Sequence, residues 1–288
     1  MTSEPVAPAR AATPRIETTG DAAAVAACCS AVYGSPLAEL LVGPSLHPGG
    51  LESTRMLLAA ARLPCGARLL DAGCGLGTSA RLAAAEFGLR VEAVDASAAI
   101  VARAVARDTA GEVVWSRADL LALPAADGTF DGVLSECVLS TTARGHALAE
   151  LRRVLRDGGT LALSDVVTSG AAPLAIADRL LGAALCIGDA WLPGEIEDQL
   201  AEAGFTIERR WDRSETVVEL VDRIESRVRL ALAVARGSSL DLAGLAELAG
   251  LGSLASGGPD AARHLADDVR AAVRRGEIGY VAVIARAR

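Results

Sequence analysis

The 288-residue chain has no lysine. All 28 of its basic residues are arginine, and 36 aspartates and glutamates give it a formal net charge of −8. A protein that binds along a nucleic-acid backbone needs a basic face, so this acidic balance argues against nucleic acid as the partner. Alanine and glycine are abundant, which indicates GC-rich coding as the reason for the missing lysine. The composition fits an enzyme that acts on a small molecule.

Long apolar runs are also missing. Half of the residues are apolar (51%), yet no stretch provides the about 18 consecutive uncharged apolar residues that a membrane crossing requires. Residues 1–20 are rich in Pro, Thr, Ala and Glu and lack the continuous apolar core of a secretory signal. We therefore expect a loose tail over 1–20, no membrane partner and a cytoplasmic location.

Cysteine and histidine are scarce. Six cysteines in a chain of this length, with no secretory signal, are expected to be thiols and not a disulfide framework. Of the three histidines, His146 is expected at a solvated helix start and His264 at the surface. His47 precedes Pro48-Gly49-Gly50, and two interpretations stay open for it. It is either a turn residue bonded to a backbone carbonyl or part of a lid that reaches the active site.

The strongest local pattern is RLLDAGCGLGTS at residues 68–79. An apolar run ends at Asp71, and three glycines then occupy alternate positions before an alanine-rich segment. Glycine is needed where the backbone turns with positive φ or approaches a ligand closely. The pattern predicts a strand, a tight turn and a helix whose free N–H groups point back at the turn. The next apolar run ends at Asp95, a carboxylate suited to both hydroxyls of a ribose.

Thr78 decides which nucleotide fits. A dinucleotide-binding turn has glycine at its first, third and sixth positions, and the sixth position counted from Gly73 is Thr78. A carboxylate at Asp71 would repel a pyrophosphate, but it suits a ligand with a positively charged amino acid part. The pattern Asp71-x-Gly73-x-Gly75-x-Gly77 resembles the first motif of class I S-adenosylmethionine-dependent methyltransferases.

The resemblance continues downstream through Asp119 after VVWSRADL, through GTFDGVLSE and through RVLRDGGTLALSD. It implies S-adenosylmethionine as cofactor and an α/β fold with a Rossmann-like seven-stranded sheet, helices on both faces and a closing antiparallel pair. It also implies a set of cofactor-binding residues at the turn and at the ends of the following strands. These are Asp71, Gly73, Cys74, Gly75, Gly77, Thr78, Asp95, Ala96, Ala118, Asp119, Leu120 and Ser135.

The expected domain organisation follows from the same resemblance. We expect a flexible tail over 1–20, an N-terminal helical lid over 21–66, a cofactor-binding core over 67–213, a helical insertion over 214–276 and the last core strand over 277–288. The insertion is helical in period. It could cover the substrate pocket or make a homodimer contact, and the sequence does not decide between them.

Cysteine positions point to a soft methyl acceptor. Ser135-Glu136-Cys137-Val138, Cys186 and the pair Cys28-Cys29 resemble cysteine positions of arsenite methyltransferases, although that family has asparagine where this chain has Glu136. Three thiolates are reasonable ligands for trivalent arsenic. The candidate catalytic residues are Cys137, Cys186, Cys29, Glu136 and His47.

Two other interpretations stay open. The chain could methylate a carbon, oxygen or nitrogen atom of a small metabolite, with Glu136 or His47 assisting proton removal and with inert cysteines. It could also be a nucleotide-binding protein without catalytic activity.

Overall fold

A computed structural model describes residues 39–170, 189–236 and 263–288, apart from Leu41 and Leu265. Seven strands form one sheet in the order β3-β2-β1-β4-β5-β7-β6. The strands are β1 (Arg68–Ala72), β2 (Arg90–Asp95), β3 (Val113–Arg117), β4 (Phe130–Glu136), β5 (Leu155–Thr168), β6 (Phe205–Asp212) and β7 (Ile278–Ala287). The predicted α/β class and strand number are confirmed.

Strand β7 is the antiparallel member of the sheet. It pairs antiparallel with both β5 and β6, whereas the pairs β1–β2, β1–β4, β2–β3 and β4–β5 are parallel. The predicted antiparallel closure is therefore confirmed. Because the strand order reverses between β1 and β4, the helices after these two strands leave a crevice at the carboxyl ends of the parallel strands.

The helices cover both faces of the sheet. They are α1 (Gly50–Ala61), α2 (Thr78–Phe87), α3 (Ala98–Arg107), α4 (Arg144–Val154), α5 (Glu195–Glu202), α6 (Glu215–Arg236) and α7 (266–274), with a short 3-10 helix at Leu139–Thr141. None of the helices within the described ranges has the length and apolar character that a membrane crossing needs.

Two of the three apolar clusters among the described residues lie on opposite faces of the sheet. On one face α1 and α2 bury Leu57 and Leu82, and on the other α4 and α5 bury Leu148 and Leu200. Helix α1 buries residues at helical spacing, namely Gly50, Ser53, Thr54, Leu57, Leu58 and Ala61. Burial at this period is what an amphipathic helix packed on a sheet requires.

Helix α6 lies between β6 and β7, where the sequence predicts helical structure. Residues 1–38 and 237–262 are outside the described residues. The predicted tail, residues 21–38 of the predicted lid and the middle of the predicted insertion fall there, so the domain boundaries stay predictions.

Candidate functional site

A cavity of about 790 Å³ opens at the carboxyl ends of β1, β2, β3 and β4. Its wall also includes residues of the segment that precedes α1, among them Pro44, Leu46 and His47. Small-molecule sites span about 300–1,000 Å³, so this volume is large enough for a nucleotide cofactor with a second small molecule beside it.

The glycine turn between β1 and α2 forms one wall. The backbone amides of Gly73 and Cys74 both donate to the Val94 carbonyl at 2.9 Å, which fixes the turn against β2. Gly73, Gly75 and Gly77 have φ values of 81°, 52° and 74°.

The three glycines have different surroundings. A Cβ at Gly75 would meet only Leu46 Cδ1 at 3.7 Å, so this position leaves the backbone open to the cavity. A Cβ at Gly77 would lie 2.1 Å from Trp115 Cη2, and Gly77 is not among the residues that line the cavity. Gly77 is therefore required for packing.

Asp71 is buried at the cavity wall with 4% of its surface exposed, and its Oδ2 has no hydrogen-bond partner among the described atoms. Burial raises the pKa of Asp71 well above its ordinary value of 3.8, and the nearby Glu136 and Asp95 carboxylates raise it further. A buried carboxylate oxygen without a donor is costly. A cationic ligand group, such as an α-ammonium, would remove that cost.

Asp95 faces the same cavity from the end of β2. Its Oδ2 accepts from the Gly75 amide at 3.1 Å and its Oδ1 from the Ser97 amide at 2.9 Å. Burial raises the pKa of Asp95, and these two amide donors lower it. Asp71 and Asp95 thus share one cleft, and both are available to a ligand that carries positive charge and hydroxyl groups.

Four more of the predicted cofactor residues line this end of the cavity: Ala96, Ala118, Asp119 and Leu120. Asp119 is exposed, and its Oδ1 accepts from the Leu121 amide at 2.9 Å. Ser135 lies differently. It is fully buried within β4, does not line the cavity, and its Oγ has no hydrogen-bond partner among the described atoms.

Glu136 lines the cavity at the end of β4, with 5% of its side chain exposed. Its Oε2 accepts from Ser79 Oγ at 2.7 Å and from Thr54 Oγ1 at 3.0 Å. Thr54 lies on α1 and Ser79 in the first turn of α2. Helices from two directions therefore converge on one carboxylate.

His47 is held over Glu136 by a tight glycine turn. Its Nδ1 lies 3.2 Å from the Pro48 carbonyl, and its Nε2 lies 3.5 Å from Glu136 Oε2. Nε2 is buried and makes no hydrogen bond to a described atom. Gly49 and Gly50 adopt φ values of 78° and 51°, conformations that favour glycine.

His47 contacts a backbone carbonyl, as the turn interpretation expects, and it also lines the cavity. That it belongs to a lid stays a prediction. The other two described histidines, His146 and His264, are exposed.

The described cysteines do not form a cluster. Cys137 lines the cavity in a left-handed conformation (φ 56°), and its thiol donates to Tyr280 Oη at 3.6 Å. Cys74 is buried in the glycine turn, where burial raises its pKa. Cys28, Cys29 and Cys186 lie outside the described residues. Within the described ranges, no three His, Cys, Asp or Glu side chains are placed to hold a metal ion.

Sequence reasoning missed Thr54 and Tyr280. Tyr280 is fully buried on β7, and its Oη donates to Ser164 Oγ at 2.9 Å. Thr54 lies on the buried face of α1 among apolar positions. A polar residue at a position whose period predicts burial is the one signal that could have identified it.

Known proteins are similar to parts of this chain. The family model described as "Methyltransferase domain" matches residues 70–163. The chain is 33% identical over 198 residues to the 27-O-demethylrifamycin SV methyltransferase of Amycolatopsis mediterranei, a match that covers 62% of this chain and 73% of that protein.

A shorter match, 33% identical over 105 residues, is to the arsenite methyltransferase of Halobacterium salinarum, and it covers 35% of this chain and 26% of that protein. Among solved structures, the fold is similar to that of the 4+2 cyclase SpnF, with a TM-score of 0.68 and 22% identity over 96% of this chain and 99% of that one.

Proposed function

Because the chain belongs to the class I S-adenosylmethionine-dependent methyltransferases, we propose that it methylates a hydroxyl oxygen of a small metabolite, with His47 as the general base. The cofactor is S-adenosylmethionine, and the enzyme acts on small molecules. Which atom receives the methyl group, and which residues assist, are the parts that we propose.

The fit of the cofactor rests on Asp71 and Asp95. Asp71 Oδ2 is a buried acceptor without a donor, and it suits the ammonium of the cofactor's amino acid part. Asp95, anchored by the Gly75 and Ser97 amides, suits the ribose hydroxyls. When bound, the cofactor supplies an electrophilic methyl group on a positively charged sulfur. The remaining task of the protein is to bring an acceptor atom in line and to manage its proton.

The observation that carries the proposal is the buried Nε2 of His47, which lies at the cavity wall and has no hydrogen-bond partner among the described atoms. The Pro48 carbonyl can only accept, so a ring proton on Nδ1 would satisfy that contact, and in this tautomer Nε2 is an acceptor 3.5 Å from Glu136 Oε2. An acceptor at this place suits a ligand that brings its own donor, and a hydroxyl does so.

The chemistry of hydroxyl methylation fits this arrangement. A neutral hydroxyl is a weak nucleophile, and it must lose its proton as the new oxygen–carbon bond forms and the carbon–sulfur bond breaks. The proton passes to His47 Nε2, and the electron pair of the broken bond stays on sulfur. The imidazolium that results lies 3.5 Å from the Glu136 carboxylate, which stabilises it.

The relative from Amycolatopsis mediterranei also supports an oxygen acceptor, since it is named for a 27-O-demethylated compound. That compound is therefore the first probe to test with this enzyme.

A soft acceptor, trivalent arsenic or a thiol, is the second candidate. Cys137 at the cavity wall favours it, and so does the match to an arsenite methyltransferase. Its weaker point is that the Cys137 thiol already donates to Tyr280 Oη. The candidate also needs Cys186 and Cys28 or Cys29 to converge on Cys137.

The test is transfer of labelled methyl from S-adenosylmethionine to 27-O-demethylrifamycin SV, simple phenols, arsenite and dithiothreitol. Mass spectrometry and NMR then identify the methylated atom. We expect an O-methyl product and a fall of about 10²- to 10⁴-fold in kcat for His47→Asn. The matched control His146→Asn changes an exposed histidine and should leave kcat unchanged. Methylation of arsenite or dithiothreitol that is lost in Cys137→Ser but kept in His47→Asn would replace this proposal with the soft-acceptor function.

A further inference from the structure

A buried polar cluster, formed by Thr54, Ser79 and Glu136, lies directly beneath His47. Thr54 is fully buried, Ser79 is 7% exposed and the Glu136 side chain is 5% exposed. Polar groups are buried at a cost unless they are hydrogen-bonded. In this cluster each hydroxyl is within hydrogen-bonding distance of the same carboxylate.

Thr54 is the informative member. Its neighbours on the buried face of α1 are Leu57, Leu58 and Ala61, so an apolar residue of the same shape, such as valine, would pack there. The hydroxyl also lies 3.5 Å from the Gly50 carbonyl, the contact that a threonine inside a helix usually makes, but it approaches Glu136 Oε2 more closely at 3.0 Å. The Thr54 hydroxyl therefore contacts Glu136, while the Thr54 methyl group packs in the core.

Ser79 approaches the same oxygen from another element. Its Oγ donates to Glu136 Oε2 at 2.7 Å, a short distance typical of a hydrogen bond to a charged acceptor. Ser79 is the second residue of α2, the helix that begins at the glycine turn of the cofactor half of the cavity. The Glu136 carboxylate is thus held by side chains of both α1 and α2.

We propose that Thr54 and Ser79 are positioning residues, which hold the Glu136 carboxylate beside His47 Nε2 so that the imidazolium formed during methyl transfer is stabilised. This inference rests on the proposed role of His47 as general base. Thr54 does not line the cavity, whereas Ser79 does. Each acts through Glu136, and Ser79 also links the orientation of the base to the helix that forms the cofactor site.

The first test is made on the enzyme without an acceptor. The chain has only three histidines, so their ring signals can be told apart. The ring nitrogens are observed by NMR in the ¹⁵N-labelled full-length protein, and the His146→Asn and His264→Asn variants assign the signals. Thr54→Val should shift the His47 ring nitrogen signals, and Thr54→Ser should restore them. The matched control is Ser53→Ala, since Ser53 is also buried on α1 and its Oγ has no hydrogen-bond partner among the described atoms. Unchanged His47 signals in Thr54→Val would overturn the proposal.

The second test is kinetic, with 27-O-demethylrifamycin SV, a phenol and arsenite as acceptor probes. Loss of a hydrogen bond to a charged group should lower kcat about 10- to 100-fold in Thr54→Val, with a changed pH profile and with recovery in Thr54→Ser. The Kd for S-adenosylmethionine, measured by calorimetry, should stay within about twofold of the wild-type value, because Thr54 does not line the cavity. A loss confined to KM or to thermal stability would indicate a merely structural role and contradict the proposal.

His47→Asn separates the general-base role from the positioning role. If His47→Asn keeps wild-type kcat, the proposed general base is wrong and the positioning role is wrong with it. If His47→Asn loses activity while Thr54→Val keeps the wild-type kcat and pH profile, only the positioning role is wrong.

Discussion

The two halves of the cavity are built in different ways. The proposed cofactor half comes mainly from one continuous stretch, from β1 through the glycine turn to the end of β2, and Ala118, Asp119 and Leu120 after β3 complete it. Asp71 and Asp95 are 24 residues apart in the chain. In the proposed acceptor half, His47 and Glu136 line the cavity from separate elements, and Thr54 on α1 holds Glu136 from outside the cavity. The first half is shaped mainly by backbone geometry, and the second by side chains that meet only in the folded protein.

This difference suggests that one half of the cavity serves cofactor binding and that the other half selects the acceptor. A site made of backbone turns and strand ends can be shared by enzymes with different acceptors, since function resides in side chains placed on the fold. The residues that distinguish one acceptor from another are expected in the half that is assembled from separate elements. Changes in the two halves should therefore have different consequences, the first for folding and cofactor binding, the second for turnover.

The largest stability effect is expected for Gly77→Ala in the cofactor half. The new Cβ would lie 2.1 Å from Trp115 Cη2 at a residue with φ 74°. Overpacking and left-handed strain together should lower the free energy of unfolding by about 3 kcal/mol, measured by urea denaturation. Gly111→Ala is the matched control, since Gly111 has φ 67° but no atom within 4 Å of the Cβ position. It should cost only the strain, about 1 kcal/mol. Equal losses in both variants would contradict the packing role of Gly77.

A smaller effect is expected for Asp71→Asn. This change should raise the free energy of unfolding of the cofactor-free enzyme but weaken the binding of S-adenosylmethionine. Burial raises the pKa of Asp71, so in the cofactor-free protein the folded state holds this proton more tightly than the unfolded chain does. The contribution of protonated Asp71 to the free energy of unfolding is complete at pH values below 3.8, the ordinary pKa. It is lost as the pH rises through the raised pKa of the folded state. Asp71→Asn should therefore stabilise the cofactor-free enzyme at neutral pH by about 1–3 kcal/mol.

The same variant should weaken S-adenosylmethionine binding at least about tenfold in calorimetry, because it removes the charge that pairs with the cofactor's ammonium. Asp157→Asn, at a side chain that is 88% exposed, is the control and should change neither quantity. A destabilised Asp71→Asn protein with wild-type affinity would show that Asp71 supports the fold and not the cofactor.

The smallest effect is expected for Glu39→Gln. Glu39 precedes in sequence the segment that carries His47. Glu39 pairs with Arg103 and Arg107 of α3, each at 2.7 Å, and these side chains are partly exposed. The free energy of unfolding should change by less than about 1 kcal/mol. Hydrogen exchange of the backbone over residues 42–50 should become faster, as it should in the wild type at high salt. Glu86→Gln, which breaks the exposed pair with Arg55, should leave that segment unchanged.

The sequence predicts the cofactor half well for a physical reason. Glycines at alternate positions and an acidic strand end are local constraints, so Asp71, Gly75 and Asp95 could be assigned from the chain alone, and all three line the cavity. The seven-stranded sheet and its antiparallel closure followed from the resemblance, and the observed strand pairing confirms them.

The acceptor half could not be predicted in the same way. The approach of Thr54 to Glu136 joins residues 82 positions apart. Glu136 lies in the GTFDGVLSE motif and was a candidate, but no motif marks Thr54. Ser135 shows the limit of carrying a motif over, because strand alternation turns its side chain into the core while Glu136 reaches the cavity.

The central claim is that cofactor and base meet in one cavity between Asp71 and His47. A crystal structure of the enzyme with S-adenosylhomocysteine tests it most directly. We expect the ligand's ammonium within hydrogen-bonding distance of Asp71 Oδ2 and its ribose on Asp95. Its sulfur should face His47 Nε2 across about 5–7 Å, the gap that one methyl group and one acceptor oxygen fill. A ligand bound away from Asp71, or a His47 ring turned out of the cavity in that complex, would contradict the account.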